Sequence, residues 1–172
     1  MTWAIHSIVY RDIGEEVEAA RFFVMGYDTY VRGAFKTWHE GYGVFGGVST
    51  FITGAGGWLQ SVFAGYGGVR LARDGSLLIK NPLPPPNCTA MRLRQLSYLG
   101  NLLTLEIRRD GWSVELVAEE HGSGINSNTL PGLPVASLEL KADDGTAPQK
   151  LTRNAKPTSF KVGTSATICK AP

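Results

Sequence analysis

Met91-Arg92-Leu93-Arg94-Gln95-Leu96-Ser97-Tyr98, Leu102-Leu103-Thr104-Leu105-Glu106-Ile107-Arg108 and Trp112-Ser113-Val114-Glu115-Leu116-Val117 each alternate apolar with polar residues. That two-residue period belongs to strands with one buried face. Gly100-Asn101 and Asp110-Gly111 supply turn residues between them, so the stretch reads as three hairpin-linked strands of an antiparallel sheet with one wet face. Working outward, Val69–Ala72, the turn Arg73-Asp74-Gly75 and Leu77–Lys80 form a further hairpin. Leu83-Pro84-Pro85-Pro86 is a stiff connector, because proline fixes φ and donates no ladder hydrogen bond. Weaker strand patterns recur at Leu138–Lys141, Ser159–Val162 and Ala166–Cys169. The Gly/Ser/Asn/Pro-rich stretch at about 120–137 is expected to be a mobile loop.

Upstream of about Gly68 the chain changes character. Residues 1–68 hold four basic and six acidic side chains, for −2, and residues 69–172 hold thirteen and nine, for +4. The first part carries helical signals. One helix is expected from Thr2 to about Tyr10, broken at Asp12–Gly14. Glu15, Glu16 and Glu18 favour the start of a second through the helix dipole. Val17, Ala20, Val24 and Tyr27 recur at three- and four-residue spacing, which predicts one buried stripe, with Gly33 ending or bending the helix. From Gly41 to Val69 there are 29 residues without a charge, ten of them Gly. That glycine content and the interspersed Ser, Thr and Gln speak against a membrane span. They favour a helix over Ile52–Ala64, buried on most sides inside a larger helical assembly. The fold class expected is therefore α+β, with helices in 1–68 and a small antiparallel, sandwich-like β domain in 69–172.

With 172 residues, 43% hydrophobic and 19% charged, the chain is globular rather than disordered. A net charge of +2 is too small for a nucleic-acid partner bound by phosphate neutralisation. Two cysteines, Cys88 and Cys169, exclude a disulfide-dense scaffold and a four-cysteine zinc site but leave a single bridge open. The apolar pattern starts at Trp3 with no basic leader and no small-residue cleavage site. A cytoplasmic location is the expectation, and a chain that opens inside a core helix reads as the back end of something longer.

Several motifs invite chemistry. Gly54-Ala55-Gly56-Gly57-Trp58-Leu59 fails as a dinucleotide fingerprint, since Leu59 stands at its last glycine position and no strand precedes it. Its glycines serve close packing instead. His6, His39 and His121 lack ligand spacing, so no metal is expected. Asn87-Cys88-Thr89 matches a glycosylation sequon, here taken as an ordinary turn after the proline run. Lys36-Thr37-Trp38-His39-Glu40-Gly41-Tyr42 sets a carboxylate beside three ring side chains. Sugar sites use that combination, with flat rings on pyranose faces and a carboxylate orienting a hydroxyl or activating water. The same residues also suit an interhelical loop with a capping Glu and partly buried aromatics.

Taken in order, Met1–Ile5, Phe35–Glu40, Phe51–Gln60, Phe63–Arg70, Leu83-Pro84-Pro85, and the strand pair Leu96–Tyr98 and Leu103–Ile107 form a set. That set resembles the C-terminal portion of glycoside hydrolase family sixty-five, over about residues 1–117. Within it the set is most similar to the acid-trehalase-like branch that removes glucose from the collagen disaccharide. The resemblance implies that residues 1–68 are the last helices of an (α/α)6 toroid and 69–172 the trailing β domain. It implies Glu40 as general base and Trp38 as a wall of the glucose pocket, with His39 and Tyr42 beside them as substrate-binding residues. The proton donor would lie on an upstream part of the toroid, so this chain alone would be inactive. The partner implied is a glucosyl disaccharide, including one carried on collagen peptides, with no cofactor, metal, nucleic acid or membrane. Phosphorylases of the family carry a Gly-Ile-His element whose histidine helps hold phosphate. Thr50-Phe51-Ile52 stands at that place here, and a phenyl ring donates nothing to phosphate, so hydrolysis is implied. The alternative reading is a non-catalytic structural or carbohydrate-binding module.

Overall fold

A computed structural model describes residues 2–41, 48–117, 136–153 and 155–171. The chain divides into two compact units, Met1–Tyr66 with Pro85–Cys88, and Gly67–Pro84 with Thr89–Pro172. The class is mixed helix and antiparallel sheet.

The first unit begins with α1 (Trp3–Asp12) and α2 (Glu16–Met25). Gly14, at φ +83°, makes the turn between them, a backbone conformation that costs glycine least. Glu16 and Glu18 occupy the first turn of α2, where carboxylates favour the positive end of the dipole. Ala4, Ser7 and Arg11 form the buried stripe of α1 at three- and four-residue spacing. Ser7 Oγ donates to the Ala19 carbonyl across the helix pair at 2.9 Å. Small side chains at Ala4, Ser7 and Ala19 let the helices approach, and the Phe22 ring lies 5.8, 5.1 and 5.3 Å from Trp3, His6 and Tyr10.

This docking corrects the expected stripe of α2. Ala19 and Phe23 are its buried residues, while Val17 is 81% exposed. Periodicity located the helix, but where α1 lies against it chose the face. Gly33 does not end α2; it turns a small hairpin of β1 (Val31–Arg32) and β2 (Thr37–Trp38). α3 (Ile52–Gln60) runs on into a π-helical segment, Ser61–Tyr66. Burial on most sides, expected inside a larger helical assembly, is not supplied by the described elements of this chain. No residue of α3 is buried, and Ile52 and Leu59 are 78% and 58% exposed. Among the described residues too few elements lie against α3 to cover it. No helix of the described residues is long and apolar enough to cross a membrane.

Arg11 is buried, ion-paired to Glu16, with its guanidinium 5.3 Å from the centre of the Tyr66 ring. Burial pushes the Tyr66 phenol up to about 12, although the Arg11 charge pulls it the other way.

The second unit holds two antiparallel sheets. One has the order β10-β7-β6-β5, from β5 (Ala90–Tyr98), β6 (Asn101–Arg108), β7 (Gly111–Val117) and β10 (Thr158–Lys161). The other has the order β3-β4-β11-β8-β9, from β3 (Val69–Leu71), β4 (Leu77–Ile79), β8 (Leu138–Ala142), β9 (Gln149–Leu151) and β11 (Ala166–Lys170). Their inner faces share one apolar cluster. Leu103, Leu105 and Ile107 of β6 and Trp112, Val114 and Leu116 of β7 enter it from one sheet. Leu77, Ile79, Leu138, Leu140, Ala166 and Ile168 enter it from the other. The arrangement is a β-sandwich. Two buried polar tips find backbone carbonyls at the edge of this core. Trp112 Nε1 donates to the Thr164 carbonyl at 2.9 Å, and the Tyr98 hydroxyl reaches the carbonyls of Gly75 at 2.9 Å and Ile168 at 3.2 Å.

The turn between β5 and β6 sits one residue earlier than expected. Leu99 and Gly100 both take positive φ, at 47° and 75°, as a two-residue hairpin turn of type I′ requires. Asn101 is then a buried member of β6 that donates to the Leu99 and Ala136 carbonyls. β5 carries a bulge between Leu93 and Leu96, which keeps both leucines against the core although they are three apart. β9 carried no strand pattern, and its pairing with β8 defines it. No disulfide joins the two cysteines. Nearly all of the expected mobile loop, and His121 with it, lies outside the described residues.

Two outcomes follow. A Cβ at Gly111 would collide with the Phe160 carbonyl, so Gly111→Ala should prise β10 from β7 and cost about 1–3 kcal/mol. Near-ultraviolet circular dichroism would show it by disturbing the Trp112–Phe160 stack, whose rings lie 4.4 Å apart. Second, because the folded Tyr66 phenol titrates higher than the unfolded one, its contribution is complete below pH 10 and is lost as pH rises toward about 12. Urea unfolding followed across that window should show a steeper loss in the wild type than in Tyr66→Phe.

Candidate functional site

The hairpin β1–β2 positions the carboxylate and rings singled out above. Val31 pairs with Trp38 and Arg32 with Thr37, and Lys36 enters β2 from a positive φ of 53°. The ladder continues past the strand, because His39 N donates to the Tyr30 carbonyl at 2.8 Å. On the other side the returning chain pairs with the same segment. Phe51 N donates to the Trp38 carbonyl at 2.9 Å and Glu40 N to the Val48 carbonyl at 3.0 Å. Trp38–Glu40 is thus held by its backbone from both flanks. Arg32 braces the exit of the segment, with Nη2 donating to the Gly41 carbonyl at 2.5 Å.

Alternation along this extended segment separates the side chains. Thr37 and His39 share one face, where Thr37 Oγ1 and His39 Nε2 are 2.9 Å apart. Trp38, the other residue of β2, faces the opposite way. The Trp38 ring is half-buried, 5.9 Å from the ring of Trp58. Trp58 in turn meets Phe23 at 5.3 Å and Tyr27 at 5.6 Å. Glu40 is exposed, and its carboxylate has no hydrogen-bond or ion-pair partner among the described residues. His39 is thus bonded back to Thr37, while the exposed Glu40 follows β2 at a bend. Tyr42 lies outside the described residues.

Trp58 is the residue that motif reading passed over. Its neighbourhood Gly54–Leu59 drew attention only as a failed fingerprint, yet its indole links α2, α3 and the hairpin. Gly26 lets the ring in, since a Cβ there would stand 3.2 Å from Trp58 Cδ1. Between Trp3, Ala4, Gly26, Tyr30, Phe51, Gly54 and Trp58 remains a cavity of about 10 Å³, the size of one water. No group of three or more metal-ligating side chains is present among the described residues.

A free carboxylate on a braced segment can bind a hydroxyl or take a proton from water without first breaking an ion pair. The structure separates that role from scaffolding in a measurable way. Glu40→Gln should change the unfolding free energy by no more than about 0.5 kcal/mol. Trp58→Ala, which removes the ring shared by Phe23, Tyr27 and Trp38, should cost about 3 kcal/mol. Urea denaturation followed by tryptophan fluorescence would compare the two.

No protein-family profile matches the chain. Among curated proteins, the protein-glucosylgalactosylhydroxylysine glucosidase of Dictyostelium discoideum is 28% identical over 120 residues, covering 70% of this chain and 16% of that protein. The Danio rerio protein of the same name is 32% identical over 101 residues, 59% of this chain and 15% of that protein. A kojibiose hydrolase of Mucilaginibacter mallensis is 34% identical over 84 residues, 49% of this chain and 12% of that protein. A solved structure described as a kojibiose phosphorylase from the human microbiome aligns with 99% of this chain and 19% of its own, at TM-score 0.48 and 16% identity. The matched residues span about a sixth of the length of the first two curated relatives. These relatives bear out a resemblance to the family sixty-five glycoside hydrolases.

Proposed function

We propose that the chain is the C-terminal part of an inverting glycoside hydrolase that releases glucose from a glucosyl disaccharide such as glucosyl-galactosyl-hydroxylysine, free or on collagen peptides. In this reading residues 1–68 supply the last helices of an (α/α)6 toroid and residues 69–172 its trailing β domain. The observation that carries it is Glu40, a carboxylate without a partner on a segment braced from both sides, next to a tryptophan whose ring is fixed by a second tryptophan. Glu40 takes the proton of an attacking water. Trp38 and Tyr42 contact the sugar, and His39 positions the segment through Thr37.

Inversion needs a second carboxyl group about 6.5–9.5 Å from the first, to protonate the departing oxygen. The proposal places that acid on the toroid upstream of this chain. Exposed apolar side chains support the placement. Ile5, Val9 and Ile13 of the α1 region, with Ile52 and Leu59 of α3, stand in water, a pattern that marks surfaces made to be covered. Water rather than phosphate is the nucleophile in this reading. Phe51 sits with its ring 6.0 Å from that of Tyr30 and offers no donor to an anion. The relatives named above as glucosidase and hydrolase support the same reaction class. No cofactor or metal enters the scheme.

The 172-residue chain alone should release no glucose from glucosyl-galactosyl-hydroxylysine or kojibiose in a coupled glucose assay; clear turnover would overturn the assignment of the acid to another part of the protein. In the longer protein, Glu40→Gln should lower kcat by about 10²–10⁴-fold with unchanged protein yield. Full activity in that variant would reduce Glu40 to a structural residue.

A further inference from the structure

The wet face of the four-stranded sheet carries a groove of about 220 Å³, lined by Arg92, Arg94, Thr104, Glu106, Ser113, Glu115 and, at one end, Pro157. Strand register explains why these groups converge. Glu106 lies between Arg92 on β5 and Ser113 on β7, and Thr104 lies opposite Glu115. One row is internally satisfied. Glu106 takes hydrogen bonds from both Arg92 and Arg108, which hold its carboxyl below the usual range. The next row is not. Arg94, lifted onto the wet face at the bulge of β5, and Glu115 on β7 have no hydrogen-bond or ion-pair partner among the described residues. A guanidinium fork and a carboxylate are left facing a shared space, with hydroxyl groups between them.

The chemistry of the lining selects the occupant. Apart from Pro157 the walls are polar, so an apolar ligand gains little. Two guanidinium groups and two carboxylates balance in the lining, so neither an anion nor a cation gains a net attraction. A neutral, hydroxyl-rich molecule suits both free groups at once, because each hydroxyl accepts from Arg94 or donates to Glu115. The volume falls below the roughly 300–1,000 Å³ of drug-sized pockets, which fits one sugar ring rather than a chain. We propose that this face of the sandwich is a saccharide-binding site for a single neutral hexose unit, built on Arg94 and Glu115. It lies on the β unit and does not depend on the catalytic reading of Glu40.

Nuclear magnetic resonance titration of the full chain with glucose, kojibiose and inorganic phosphate tests it. The expected result is saturable movement of β5–β7 amides with either sugar, at a dissociation constant on the order of 1 mM, as suits an open polar groove. Arg94→Ala and Glu115→Gln should each weaken it at least tenfold, with the thermal midpoint retained, while Glu40→Gln leaves it unchanged. No saturable movement with either sugar, movement with phosphate alone, or sugar binding that survives both groove variants would overturn the proposal. Loss of binding only in Glu40→Gln would likewise sink it while supporting the proposed catalytic site.

Discussion

Withdrawal of one row of β6 from water is the constraint on which the β unit depends. Leu103, Leu105 and Ile107 are fully buried, and each faces side chains of the opposite sheet. Burial of a side chain of this size is worth about 1.5–3 kcal/mol, so a one-residue slip, which would turn the whole row outward, is strongly disfavoured. The bulge in β5, the type I′ turn at Leu99-Gly100 and the buried hydrogen bonds from Trp112 and Tyr98 all serve that register. The same register sets the wet face, because whatever is buried at odd positions of β6 obliges Thr104 and Glu106 to point out. A polar groove on the outside is thus the geometric complement of the apolar core within.

The helical unit is organised differently. Its centre is a set of rings, Phe22 against Trp3, His6 and Tyr10, and Trp58 against Phe23, Tyr27 and Trp38. Aromatic contacts of this type add about 0.5–1.5 kcal/mol each beyond area burial. They let a short two-residue hairpin, marginal by itself, be seated firmly against helices. Much apolar surface on α1 and α3 stays in water, which a self-contained bundle avoids. Stability here comes from a few large rings rather than from a closed core, and the seated hairpin is what presents Glu40.

Part of this was legible in the residues alone. The three segments with clear alternation all exist as strands, because a period of two against a buried face is a local property of the chain. α1 ends and α2 begins near where Gly14 and the first-turn glutamates place them. The buried face of α2 was misjudged, since Val17, Ala20, Val24 and Tyr27 are as well spaced as Ala19 and Phe23. Only the approach of α1, allowed by Ser7 and Ala4, distinguishes them. α3 reads as a helix buried in a larger assembly because it has no charge, and which elements cover it is a relation that composition does not specify. β9 had no alternating pattern to find; pairing with β8 makes it a strand.

The candidate site divides along the same line. The juxtaposition of Trp38, His39 and Glu40 was legible as a chemical possibility because their types and adjacency are written in the chain. Which of them act together was not. A strand alternates its side chains, so Trp38 faces away from Thr37, and it is Thr37 that His39 meets. The freedom of the Glu40 carboxylate, the support of Trp38 by Trp58 and the convergence of Arg94 with Glu115 depend on contacts between residues distant in sequence or on neighbouring strands. The sequence alone determined the alternation, the turn positions and the residue chemistry, all set by interactions over a few residues. The tertiary structure decided which faces are covered and which charges are left free, because both are fixed only when separate segments compete for the same space.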